Sequence, residues 1–280
     1  MTSTTLQFAA LALLSACAPK VAPTTAYMGH PGSGATPCSD VAFPDAALAS
    51  AVEATLQGLP VTGANLAKVE ALYAPHAGIS DLSGAECLVN LRFLRVDHND
   101  IADLHPLAGL QALEGLNLSH NRVTDLRPLA GLTQLTGLVV DHNALAWLTG
   151  VEHLTGLEVL RADRNVITDL GPVANLTALR ALSMAENPVV DLSAVAGLAR
   201  LEALSVEGTL VADLGPVGKL TALRELNASS TPVRDLSPLA QSKSLRRLSF
   251  ADTLVADASP IATLPLEAVW PDQDGAADRD

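Results

Sequence analysis

Hydrophobic residues recur along most of this chain with a period of 22 residues. With the first residue of each unit taken as position 1, positions 1, 4, 6, 11, 14, 17 and 20 are almost always aliphatic. Positions 4 and 6 flank one variable residue, which is the alternation of a short β-strand, so each unit predicts one strand. One unit is too small to bury its aliphatic side chains alone, so the units are expected to stack on one another. The nine units begin at Val69, Leu91, Leu113, Leu135, Leu157, Leu179, Leu201, Leu223 and Leu245.

Three polar columns follow the same period. Position 9 is Asn in five consecutive units and then Thr in three, and side chains stacked at such a turn can satisfy backbone groups. Position 13 is Asp in every unit except at Trp147, and an Asp there can accept hydrogen bonds from the turn that follows. Pro recurs three residues later, where its fixed φ suits the first turn of a short helix. These columns predict architecture rather than chemistry.

The combined pattern LxxLxLxxNxIxDLxPLxxLxx covers residues 69–266 and resembles the 22-residue leucine-rich repeats of internalins and of protein phosphatase regulatory subunits. The resemblance implies an α/β fold, a right-handed leucine-rich-repeat solenoid. Such a solenoid has a concave parallel β-sheet, short 3-10 or irregular convex segments and a helical N-terminal cap. Its partners usually bind the concave sheet. The chain departs from the pattern at Ala77, Trp147, Ser242 and Ala258.

Residues 38–68 lie where a solenoid needs a cover for its first hydrophobic layer. Asp45 is predicted to cap the N-terminus of a helix over residues 46–56, because Leu48, Val52 and Leu56 then share one face. Thr62 is predicted to cap a second, short helix that leads to Leu66. We therefore predict a helical N-terminal cap over residues 38–68.

The N-terminus carries an apolar run over residues 6–14, long enough for a secretory signal and too short to span a bilayer. The run ends in Leu-Ser-Ala-Cys, which resembles the lipobox of bacterial lipoproteins. The resemblance implies a signal peptide over residues 1–16 and lipid on Cys17, although no Lys or Arg precedes the apolar run. Residues 17–37 then form the lipidated Cys and a flexible tether rich in Pro and Gly. The alternative is an apolar N-terminus on a cytoplasmic protein.

Export also bears on the other two cysteines. With Cys17 consumed by lipid, Cys38 and Cys87 remain as an even pair in an oxidising compartment, which favours a disulfide over two separate buried thiols. Closing a loop of about fifty residues would contribute around 4 kcal/mol in the chain-entropy account.

Charge and motif content limit the function classes. The net charge is −13 and the pI is near 4.8, so the average surface repels a phosphate backbone and nucleic-acid binding is not expected. The sequence contains no phosphate-binding loop, HExxH, GxSxG or paired CxxC motif, so we predict neither an enzyme nor a cofactor. Residues 267–280 are interpreted as an acidic C-terminal tail in which Trp270 either covers the last core layer or is part of a disordered end.

Positions 3, 5 and 7 alternate with the buried strand positions and are expected to project from the concave sheet. The larger side chains at these positions fall in the first five units. Because aromatic and Arg side chains dominate binding hot spots, we predict a partner-binding patch in these units. The alternative is an ordinary solvated sheet face. The predicted patch consists of Tyr73, Phe93, Arg95, Asp97, Val139, Asp141, Arg161 and Asp163.

Position 8 is His in four consecutive units, which places imidazoles about 4.8 Å apart if the strands are in register. Neighbouring imidazoles at that spacing could share a zinc ion or titrate together. Ser-His-Asn and Asp-His-Asn sequences are common at this turn in the family, so the favoured interpretation is structural and no metal is assigned. The column contains His76, His98, His120 and His142.

Together these features predict a non-enzymatic, monomeric binding module. Lipid on Cys17 would anchor it to a membrane of the bacterial cell envelope, and Ala18 resembles the residue that directs lipoproteins to the outer membrane by default. Its concave face would hold a protein or a glycan. One alternative is a structural scaffold of the envelope, and another is a cytoplasmic regulatory subunit of an enzyme.

Overall fold

A computed structural model describes Cys38 and residues 41–270. The predicted signal peptide, Cys17, the tether and residues 271–280 lie outside the described residues. Ten parallel strands form one open sheet in chain order, which confirms the predicted right-handed leucine-rich-repeat solenoid. Within residues 41–270, the longest helix falls well short of the length and apolarity that a membrane span requires.

Each strand is three residues long and pairs in register with the next, so that equivalent positions of successive units are direct neighbours. Leu94 pairs with Leu116 and Leu116 with Leu138, which keeps position 4 in one buried row. The strands are β1 Ala71–Tyr73, β2 Phe93–Arg95, β3 Gly115–Asn117, β4 Gly137–Val139, β5 Val159–Arg161, β6 Ala181–Ser183, β7 Ala203–Ser205, β8 Glu225–Asn227, β9 Arg247–Ser249 and β10 Ala268–Trp270.

The opposite wall is built from single turns of 3-10 helix. In five of them Pro stands in the first turn, as the sequence predicts, and at Pro216 it precedes the helix. The Asp column accepts the backbone N–H two residues on, as Asp125 does from Arg127 at 2.9 Å. The turns are Ala85–Cys87, His105–Leu107, Arg127–Leu129, Val151–His153, Gly171–Val173, Ser193–Gly197, Val217–Lys219, Ser237–Leu239 and Ser259–Ile261.

The N-terminal cap consists of α1 (Ala46–Leu56) and α2 (Gly63–Leu66). Asp45 caps α1 as predicted, with Oδ1 accepting the N–H groups of Ala47 and Leu48 at 2.9 and 3.0 Å. Its other oxygen accepts the N–H of Ser80 at 2.8 Å, which ties the cap to the first repeat. Cys38 and Cys87 are joined by a disulfide with the Cα atoms 5.8 Å apart, a second tie between the same two regions.

The Asn column links neighbouring units. Asn121 Oδ1 accepts the N–H of Ile101 at 2.9 Å, and its amide donates to Val96 and to Leu118, at 2.9 and 3.0 Å. Two of these three partners belong to the preceding unit. Thr209, at the same position of a later unit, donates instead to Val206 of its own unit at 2.6 Å.

The C-terminal end differs from the prediction of nine strands and a tail from residue 267. Residues 268–270 form β10, which pairs with β9 so that Val269 lies opposite Leu248. The spacing between these two residues is 21 rather than 22, because the last unit is one residue shorter. A search at a fixed period of 22 residues therefore misses this strand.

Candidate binding surface

The concave sheet face is formed by positions 3, 5 and 7, as predicted. Its first five units carry large and charged side chains, whereas position 5 of β6 to β9 carries a row of small polar side chains that are buried, with the Glu225–Arg247 ion pair beside them at position 3. Tyr73 and Arg95 are the exposed members of the predicted patch, with 49% of Tyr73 and 55% of the Arg95 side chain open to solvent. Phe93 and Arg161 are half-buried. The small side chains at position 5 of the later strands are Ser183, Ser205, Asn227 and Ser249.

Phe93 lies flat across the neighbouring strand. A Cβ added at Gly115 would stand 3.0 Å from the Phe93 ring, so the ring occupies the space above that glycine. The guanidinium of Arg92 lies 5.4 Å from the ring centroid, within cation–π range. The ring is therefore held in place before any partner arrives.

Asp97 contacts two side chains that are cationic or can be protonated, Arg95 and His98. Its Oδ1 accepts from Arg95 Nε at 2.6 Å and its Oδ2 lies 3.1 Å from His98 Nδ1. Burial alone would raise the pKa of Asp97, but the hydrogen bonds from Arg95 and His98 outweigh burial and lower it. Asp97 is thus an ionised side chain that is only 4% exposed.

Asp141 occupies the same position as Asp97, two units further along, but its pKa shifts in the opposite direction. Burial and, second to it, the nearby Asp163 raise the pKa of Asp141 to about 6, although Arg161 at 2.9 Å opposes both. Arg161 also lies 3.5 Å from Asp163, so two carboxylates share one guanidinium. Arg95 by contrast pairs with one carboxylate, that of Asp97, among the described residues.

Three members of the predicted patch are less open than expected. Asp97 is 4% exposed, Val139 5% and Asp141 6%, because neighbouring side chains cover them on the curved face. A partner can contact Arg95, Tyr73 and part of Arg161 directly. Asp141 can influence that partner only through Arg161, with which it is paired.

The four histidines of position 8 form a stacked column. Each has a positive φ between 53° and 57°, the left-handed conformation that recurs at position 8 of all nine units over residues 69–266. Ring centroids are 4.1, 4.0 and 3.8 Å apart along the column, closer than the strand spacing alone predicts. Arg164 continues the column, with Nη1 3.1 Å from His142 Nε2, and pairs with Glu186 at 2.6 Å. Burial first, and the neighbouring histidines second, lower the pKa of His120 and His142.

A further surface was missed by the sequence analysis. At position 10, units 4 to 9 carry only apolar residues, whereas the two units before them carry the exposed ion pair Asp100–Arg122 at 2.6 Å. Reading the sequence down this column would have revealed the change. We call this surface the edge stripe, and it consists of Ala144, Val166, Pro188, Leu210, Pro232 and Leu254.

Comparison with known proteins gives the family. The leucine-rich repeat family model matches residues 89–145. The chain is 32% identical to internalin C2 of Listeria monocytogenes, with 82% of this chain and 94% of that chain covered and a TM-score of 0.62. The chain belongs to the leucine-rich repeat proteins of the internalin type.

Two other structures agree with the leucine-rich-repeat fold, and one of them is an internalin. An internalin (inlF) of Listeria monocytogenes is 28% identical, with 82% of this chain and 76% of that chain covered and a TM-score of 0.70. A leucine-rich repeat protein of Leptospira interrogans is 25% identical, with 67% and 50% covered and a TM-score of 0.64. A search of curated proteins found no match. Internalin-type proteins are generally binding proteins rather than enzymes, and leucine-rich repeat domains generally bind proteins.

Proposed function

We propose that this internalin-type protein is a non-enzymatic, monomeric binding module of a bacterial envelope. In this proposal lipid on Cys17 holds it on the outer membrane, and the first five units of its concave face hold a protein or glycan partner. The observation that carries the proposal is the Arg95–Asp97 pair, an exposed guanidinium fixed by a buried carboxylate at 2.6 Å.

A fixed guanidinium favours binding because less side-chain freedom is lost when a partner arrives. Phe93 is fixed in the same way by Gly115 and Arg92, and Tyr73 adds an exposed aromatic surface beside Arg95 on the adjacent strand. Arg and aromatic side chains held in place are the usual composition of a hot spot. The same groups suit a glycan, since aromatic faces cover sugar rings and a guanidinium donates several hydrogen bonds.

Membrane attachment is a separate part of the proposal and rests on the sequence around Cys17 together with the bacterial surface proteins that the chain resembles. Metabolic labelling with an alkyne-bearing fatty acid tests it. We expect the label on the wild-type chain and its loss in Cys17→Ser, with the labelled protein in the membrane fraction. An unlabelled wild-type chain with an intact N-terminus would support the cytoplasmic alternative.

The edge stripe supports a second candidate, a structural scaffold of the envelope. Exposed apolar surface commonly marks a site of protein contact, and the stripe runs along six consecutive units in which Pro188 and Pro232 are half-buried and the other four residues exposed. A scaffold that binds along this edge would contact its neighbours at Val166 and Leu210 rather than at Phe93 or Arg95.

Photo-crosslinking in the native host separates the two candidates. A photoreactive amino acid replaces Asn117, which lies beside Arg95 on the adjacent strand, in one strain and the exposed Leu210 in another. The concave proposal predicts one discrete crosslinked species from position 117 and little from position 210. A discrete product from position 210 alone would replace the proposal by the scaffold.

A further inference from the structure

The backbone conformation at position 8 does not require histidine. Position 8 is left-handed in every later unit as well, yet those units carry Arg164, Glu186, Gly208, Ser230 and Asp252. Asn, Asp and Gly adopt this conformation at least as readily as His. Turn geometry alone therefore does not account for four consecutive imidazoles.

At the N-terminal end of the column a buried carboxylate lies beside one imidazole. Asp97 Oδ2 lies 3.1 Å from His98 Nδ1, which is close to the spacing of two ligand atoms around one zinc ion, about 3.3 Å. A metal ion bound by these two atoms takes the place of the proton between them, and the neutral ring then carries its proton on Nε2.

His76 completes the group from the preceding unit. Its ring stacks on that of His98 at 4.1 Å, and one ligand atom from each of His76, Asp97 and His98 lies within 4.8 Å of the others. Both histidines are exposed, so their rings can turn without disturbing the core. Ligand atoms around one zinc ion stand about 3.3 Å apart when each is about 2.0 Å from the metal, so rotations of the side chains are sufficient.

We propose that His76, Asp97 and His98 bind a divalent transition-metal ion of the zinc, copper or nickel class. Imidazole nitrogens select these ions over magnesium and calcium, which prefer oxygen ligands. Three protein ligands leave a coordination position open to water or to a group of a partner. Arg95, hydrogen-bonded to Asp97, opposes the cation and sets the affinity below that of a closed four-ligand site. This inference does not depend on the proposed function.

Zinc titration of the purified full chain tests the site. The chain carries Cys17→Ser so that no free thiol competes, because the other two cysteines are joined in the disulfide. After chelator treatment, Zn²⁺ is added and binding is followed by calorimetry. We expect one equivalent to bind, and His76→Asn or His98→Asn to weaken binding about tenfold or more. Asn keeps the left-handed backbone, so these variants preserve the turn.

Two control variants locate the ion within the column and exclude general surface binding. His142→Asn removes an imidazole of the same column whose Nε2 already faces Arg164, and His105→Asn removes an exposed His–Asp pair outside the column. Both should bind zinc like the parent chain. Binding below a tenth of an equivalent would overturn the proposal. Equal loss in the control variants, or unchanged binding in His98→Asn, would overturn it as well.

Discussion

The two halves of the solenoid share one core and differ in almost everything around it. Leu116 in β3 and Leu204 in β7 have the same position, the same burial and the same strand register. The N-terminal units add an Asn column that bonds across units, a row of stacked histidines and a charged concave face. The C-terminal units replace these by Thr, by mixed side chains, and by a concave face that has small side chains at position 5 and the Glu225–Arg247 ion pair at position 3. The edge stripe lies beside this face. The repeat thus specifies the scaffold, and the two halves carry different surfaces on it.

Core substitutions are expected to have the largest effect on the free energy of unfolding, and they test whether the cores of the two halves are equally stable. We expect Leu116→Ala and Leu204→Ala each to lower the free energy of unfolding by about 2 to 5 kcal/mol, because each leaves a cavity in a fully packed row. Urea unfolding monitored by circular dichroism gives the values. A cost in one half several times that in the other would show that the cores are not equivalent.

The disulfide belongs only to the N-terminal half. Replacing both Cys38 and Cys87 by Ser should lower the free energy of unfolding by about 2 to 4 kcal/mol, because the unfolded chain regains a long loop. The control is the same comparison in the presence of a reductant, which opens the disulfide of the wild-type protein. Variant and wild type should then have equal free energies of unfolding. No difference under oxidising conditions would contradict this account of the cap.

The Asn and Thr columns are distinguished by how far their hydrogen bonds reach. Asn121→Ala leaves buried backbone groups of two units without a partner and should cost about 1 to 3 kcal/mol. Thr209→Ala removes one hydroxyl bonded within its own unit and should cost about 1 kcal/mol. Denaturant unfolding of the two variants is the measurement, and equal costs would remove the distinction between the columns.

Asp97 and Asp141 should respond to pH in opposite directions. The folded-state pKa of Asp141, about 6, lies above its unfolded value, so its contribution to stability is lost as pH rises from about 4 to 6. Asp141→Asn should therefore gain stability relative to wild type on going from pH 4 to pH 7. The lowered pKa of Asp97 gives a contribution that is present at pH 7 and lost on acidification, so Asp97→Asn should be destabilised at pH 7.

Unfolding of both variants at pH 4 and pH 7 checks the pair. Asn retains an oxygen that can accept the Asp163 N–H held by Asp141 at 2.9 Å, so the substitution changes charge more than hydrogen bonding. The same direction of pH dependence in both variants would show that Arg95 and Arg161 do not differ in the way their geometry indicates.

Much of the fold follows from the sequence because one set of contacts recurs. The Leu, Asn, Asp and Pro columns occupy the places their spacing predicts, and the residues around Asp45 and Thr62 form the predicted helices. The tenth strand was missed because one residue is absent from the last unit, which shifts Val269 out of the fixed period.

The site was predicted less completely, because exposure depends on neighbours in other units. Val139 and Asp141 alternate with core residues as a solvent-facing position should, yet sheet curvature and large adjacent side chains cover them. The sharing of Arg161 by Asp141 and Asp163 likewise needs three side chains from two units. The edge stripe was visible in the sequence and was missed because position 10 was not read as a column.

The central claim is that the charged N-terminal half of the concave face binds the partner. The most direct test measures the affinity of the full chain and of Arg95→Ala for the species captured by crosslinking, with Arg122→Ala as the matched variant. Arg122 is also an exposed Arg paired with an Asp, but it lies at position 10 of the edge. We expect Arg95→Ala to weaken binding about tenfold or more and Arg122→Ala to leave it within about twofold. Unchanged affinity in Arg95→Ala would contradict the account.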